Sequence, residues 1–77
     1  MRLDYAATRE AVRDTLTPYG NRDIKAANKA MKALFGERLS QIKGGQDTVS
    51  YYILVEGDDG YELDYFTWDF TYGQFAV

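Results

Sequence analysis

Glu56, Asp58, Asp59, Glu62 and Asp64 crowd one short stretch of the chain, within and on either side of a Gly-Asp-Asp-Gly sequence. Carboxylates so close together could do three kinds of chemistry. A pair held apart across a cleft can act as general acid and base on a glycosidic bond. Oxygen ligands in a turn can hold calcium. An array of negative charge can meet a basic surface on another macromolecule. The first use needs a walled cleft, which a hairpin on a 77-residue chain does not supply. The second needs the calcium-loop spacing of alternating acids followed by a distant glutamate, and Glu56-Gly57-Asp58-Asp59-Gly60 does not have it. The third use remains.

Other routes to catalysis are closed by composition. The chain has no histidine and no cysteine. Serine and tyrosine therefore lack the usual imidazole base, and there is no thiolate nucleophile or thiolate metal site. No glycine-rich phosphate loop precedes a helix. The expectation is a protein that is not an enzyme, with no cofactor and no metal.

Aromatics lie among the acids. They make up 16% of the chain, and Tyr52, Phe66 and Trp68 fall in the same C-terminal half. Tyrosine and tryptophan are favoured anchors where one protein covers another. The candidate partner-binding set is therefore Tyr52, Glu56, Asp58, Asp59, Glu62, Asp64, Phe66, Trp68 and Asp69, with the carboxylates supplying charge and the three rings supplying apolar contact.

These residues need a frame, and the hydrophobic period provides one. Residues 4–17 read as a helix, with Asp4 as its cap and Tyr5, Val12 and Leu16 at helical spacing. Pro18 ends it. A second helix begins near Asn21 or Asp23 and carries an apolar stripe of Ile24, Ala27, Met31, Leu34 and Phe35, with Lys25, Lys29 and Lys32 on another face. Leu39 and Ile42 continue that spacing, which favours a helix running on through Gly36 to about Lys43. The alternative makes residues 37–43 an edge strand. From Thr48 the period becomes two. Val49, Tyr51, Ile53 and Val55 form one face of a strand, and Gly57-Asp58-Asp59-Gly60 turns it back. The next strand begins with Tyr61, Leu63 and Tyr65 on one face. Beyond Phe66 the apolar set becomes Phe66, Trp68 and Phe70, a switch that calls for a bulge, a bend or cover on both faces. Residues 74–77 make a short last strand. Met31, Leu34, Phe35, Val49, Tyr51, Ile53 and Val55 should be core.

The expected fold is α+β, one domain over residues 1–77, with two N-terminal helices packed on one face of a small antiparallel three-stranded sheet in the order α-α-β-β-β. Helices on one face leave the other open, carrying some of Tyr52, Leu54, Phe66 and Trp68 beside Glu62 and Asp64. An apolar patch with a polar rim marks an interaction site.

Charge follows the same division. Residues 1–43 hold all nine basic residues and five acids, a net of +4; residues 44–77 hold seven acids and no base. With 45% hydrophobic residues, the chain should fold rather than remain disordered. No apolar run suggests a membrane span or a signal peptide, and a cytoplasmic protein is expected.

Two functional readings follow. The first is a small acidic module that binds a larger protein with a basic surface and modulates or inhibits it. The partner is expected to handle nucleic acid, whose backbone the carboxylates would mimic. In being short, cysteine-free and aromatic-rich, the chain is similar to the small acidic inhibitors encoded by phages and other mobile elements. The alternative is a nucleic-acid-binding protein that uses the Lys25, Lys29 and Lys32 helix face together with sheet aromatics. A homodimer, paired head to tail by charge or through the last strand, is compatible with either.

Overall fold

The computed structural model describes residues 2–76. Asp4 sits in extended backbone, and its side chain accepts a hydrogen bond from the Ala7 amide at 2.9 Å. That bond satisfies one of the free donors at a helix start, and α1 runs from Tyr5 to Leu16. A short 3-10 turn at Asn21–Asp23 leads into α2, Ile24–Phe35. Ala27, Met31 and Phe35 recur every four residues along α2 and are buried. Leu34, expected in the core, lies off that line and is exposed, because one residue along a helix rotates the side chain by about 100°.

α2 does not continue to Lys43. Gly36 takes φ +57° and ψ −129°, which ends the helix. A 3-10 turn over Gly36–Arg38 then delivers the chain into strand β1, Leu39–Gly44. The edge-strand alternative is therefore the one the structure adopts. Leu39 and Ile42 do pack against the core, but as strand residues, with the pairing register shifted between Leu39 and Gln41. A Gly36→Ala change should lower stability by about 1–3 kcal/mol, because an L side chain is strained at this φ. Urea unfolding measures it. No Cβ clash contributes, since a side-chain carbon at this position meets nothing within 4 Å.

Strands β2, Thr48–Gly57, and β3, Gly60–Asp69, form a long hairpin, and β4, Gln74–Phe75, pairs with the far end of β3. The sheet order is β1-β2-β3-β4, all antiparallel. The sheet thus has four strands where three were expected, and the helix-then-sheet order holds. Val77, placed in the last strand from sequence, lies outside the described residues.

One face of the sheet meets the helices. Val12, Leu16, Ala27, Met31 and Phe35 pack against Val49, Tyr51, Ile53, Val55, Phe66, Trp68 and Phe70. Tyr51 is fully buried, and its hydroxyl donates to Asn28 Oδ1 of α2 at 2.6 Å. Burial pushes the Tyr51 phenol well above its ordinary value of 10.0, because low polarity penalises the phenolate. The raised folded value means that stability is full below about pH 10 and falls as pH rises beyond it, when the unfolded chain can ionise and the native one cannot. Tyr51→Phe should flatten that alkaline decline, as measured by unfolding between about pH 8 and 11. At neutral pH it should cost about 1 kcal/mol for the lost hydrogen bond.

Candidate interaction surface

The register of the hairpin fixes which side chains share a face. Gly57 pairs with Gly60, and counting back from the turn pairs Tyr52 with Tyr65 and Leu54 with Leu63. The same count pairs Tyr51 with Phe66 and Val49 with Trp68. Because alternate residues of a strand point to opposite faces, the buried Tyr51 and Val49 carry Phe66 and Trp68 into the core with them. Phe66 and Trp68 are 3% and 1% exposed, so neither is an accessible anchor. This corrects the expectation that both rings stand on the open face. Trp68 instead packs edge-on against Phe75, with ring centroids 4.9 Å apart, and its indole N–H is buried without a hydrogen-bond partner.

The expected switch along β3 has no break in register behind it. Pairing with β2 is continuous over the whole strand. Tyr61, Leu63 and Tyr65 lie on one face, and Phe66, Trp68 and Phe70 on the other. The apolar set changes sides along the strand while the strand itself stays regular.

The uncovered face is therefore a cross-strand ladder. Tyr52 and Tyr65 approach with ring centroids 5.8 Å apart. Leu54 sits opposite Leu63, and Tyr61 opposite Glu56. At the other end, Ser50 and Thr67 share a hydrogen bond of 2.7 Å between their hydroxyls. Tyr61, Leu63 and Tyr65 are each more than half exposed, whereas Tyr52 and Leu54 are partly covered. Of the rings expected here, Tyr52 is in place. Leu54 is an expected face residue, but Tyr61, Leu63 and Tyr65 lie outside the candidate set. The register rule would have placed them, because a two-residue turn pairs each of them with a residue of β2.

The carboxylates occupy the turn end and the rim. Asp58 and Asp59 are exposed at the tip. Glu56 shares the ladder face, and Arg2 reaches both Glu56 (3.9 Å) and Asp58 (3.4 Å). These contacts are solvent-exposed and contribute little to stability. Glu62 and Asp64 pair with Val55 and Ile53, so they lie on the helix side of the sheet, away from Tyr52. That corrects their expected position beside it. Asp69 is not free at the surface: its side chain accepts from the Thr71 and Tyr72 amides at 2.9 and 3.2 Å and shapes the turn into β4. Among the described residues, no three acids come together in a way that could hold a metal ion.

Lys25, Lys29 and Lys32 are exposed on α2, and no carboxylate stands within ion-pair distance among the described residues. They belong to the helix layer, across the molecule from the tyrosine ladder. No described helix is long and apolar enough to cross a membrane. Compared with protein-family models, with curated proteins and with solved structures, the chain matches none.

Proposed function

We propose that this chain is a small protein-binding module that covers its uncovered sheet face with a larger protein. The observation that carries this reading is the solvent-facing ladder of Tyr52, Leu54, Tyr61, Leu63 and Tyr65. Three of these five are more than half exposed although they sit on a strand whose pairing with β2 is unbroken. An apolar patch rimmed by charge is the ordinary form of an interaction site. Tyrosine supplies large contact area at low conformational cost.

Charge complementarity supports a partner with a basic surface. Asp58 and Asp59 sit at the hairpin tip, Glu56 on the open face and Glu62 and Asp64 along the helix side of β3, and Arg2 contacts Glu56 and Asp58. A protein built to hold a nucleic-acid backbone has such a surface, and the module would inhibit or modulate it by occupying that surface. The partner is accordingly a nucleic-acid-handling protein, and the site works in the cytoplasm where such partners act.

Gel retardation separates this reading from direct nucleic-acid binding. The wild-type chain should leave single- and double-stranded DNA and RNA unretarded at moderate salt. Excess nucleic acid should displace the bound protein partner. Salt-sensitive retardation that disappears on Lys25, Lys29 and Lys32→Gln would overturn the proposal in favour of the helix face.

A further inference from the structure

The outer edge of β3 is only partly covered. β4 pairs with Trp68 and Asp69, and the Ala76 amide donates to the Thr67 carbonyl at 2.9 Å. Beyond that point, toward the hairpin turn, β3 has no outer neighbour among the described residues. Backbone groups alternate sides along an antiparallel strand. Thr67 bonds outward to Ala76, so Tyr65, Leu63 and Tyr61 also direct their N–H and C=O groups outward. Glu62, Asp64 and Phe66 direct theirs to β2. Three consecutive outward sets of donors and acceptors are thus left for a strand to take up.

The space beside the first of them, Tyr65, is shaped for one. A groove of about 430 Å³ prolongs the line of β4. Its walls include Tyr5 and Arg9 of α1, Asp64 and Phe66 of β3, and Phe75 of β4. Tyr5 stacks on Phe66 at 5.3 Å, and the Arg9 guanidinium lies over the Phe75 ring at 4.1 Å. These contacts hold the inner wall in place.

The geometry points to strand addition on β3: the partner contributes an extended segment that continues β4 along Tyr65 to Tyr61. This inference rests on the proposed function in taking the partner to be basic, and it specifies how that partner engages. Side chains directly opposite one another across a strand pair interact, so the register states the sequence required. Apolar residues stand opposite Tyr65, Leu63 and Tyr61 and extend the ladder onto the open face. Cationic residues stand opposite Asp64 and Glu62 on the helix side. The segment therefore reads apolar-basic-apolar-basic-apolar. Main-chain bonds give the affinity and the alternating side chains the choice of partner.

The test uses the whole chain, labelled with 15N, and the blocked peptide acetyl-Val-Lys-Val-Lys-Val-amide, with acetyl-Val-Glu-Val-Glu-Val-amide as its charge opposite. Saturating lysine peptide should slow amide exchange at Tyr61, Leu63 and Tyr65 by about tenfold or more and leave Glu62 and Asp64, already bonded to β2, unchanged. The glutamate peptide should not. A Glu62→Lys, Asp64→Lys variant should exchange the two preferences. Leu54→Ser, on the inner strand of the open face, should keep the peptide effect while weakening the full partner. Shifts confined to Tyr52 and Ser50 with the edge amides unaffected would overturn strand addition and leave face docking standing. Failure of both peptides to bind, or equal binding of the two, would overturn strand addition as well. Loss of partner dependence on Leu54 with the edge effect intact would instead count against the face.

Discussion

Trp68→Ala should cost about 3–5 kcal/mol, a large share of the stability available to a chain of this size. The indole is 1% exposed, stands opposite Val49 on β2 and packs edge-on against Phe75 of β4. Truncation would remove the largest buried side chain and loosen the only described strand that covers part of the β3 edge. Trp68→Phe should behave differently. The indole N–H is buried with no acceptor, and an unpaired buried donor costs about 1–3 kcal/mol. Phenylalanine removes that donor but leaves a smaller cavity in its place, so the two effects partly offset and its net cost should fall well below that of alanine. Urea unfolding followed by far-ultraviolet circular dichroism checks both, because the chain has no other tryptophan to report by fluorescence. A similar loss for the two variants would mean that the N–H is not a burden to the fold.

Reversing Asp58, Asp59 and Glu62 to lysine should lower partner affinity by roughly ten- to a hundred-fold, mostly through slower association and with a flatter salt dependence. The three side chains are exposed at the hairpin end. Arg2 reaches Asp58 at 3.4 Å, but the Asp58 side chain is 98% exposed there, so screening leaves that contact with little to contribute to the fold. Thermal unfolding should therefore be almost unchanged. Affinity that survives the reversal would remove the acidic rim from the mechanism and leave the apolar ladder to act alone.

Much of the frame can be read from residue spacing. Asp4 and Pro18 bracket α1 because a capping carboxylate and a ring without an N–H act locally. The core of β2 follows from strict alternation of Val49, Tyr51, Ile53 and Val55. The errors arise where a local pattern meets a longer-range constraint. Leu39 and Ile42 continue a helical stripe, but the backbone angles at Gly36 end the helix and turn those residues into a strand. Phe66 and Trp68 read as open-face rings only while β3 is considered alone. Once Gly57 and Gly60 set the register, Tyr51 and Val49 draw both rings inside and leave Tyr65 and Leu63 outside. The acids are legible as a cluster, but their division between the two faces depends on the same register. Asp69 shows a further limit: a carboxylate can be held by backbone amides of a turn, and nothing in its spacing from the other acids signals that.

The most direct measurement is a map of protected amides and side chains on the chain in complex with the protein it retains from its native host, by hydrogen exchange and cross-saturation. Protection is expected at Tyr52, Leu54, Tyr61, Leu63 and Tyr65, with Asp58 and Asp59 at the margin and Lys25, Lys29 and Lys32 still open to solvent. Protection centred on the three lysines of α2, with the tyrosine ladder unchanged, would contradict a partner seated on the open sheet face.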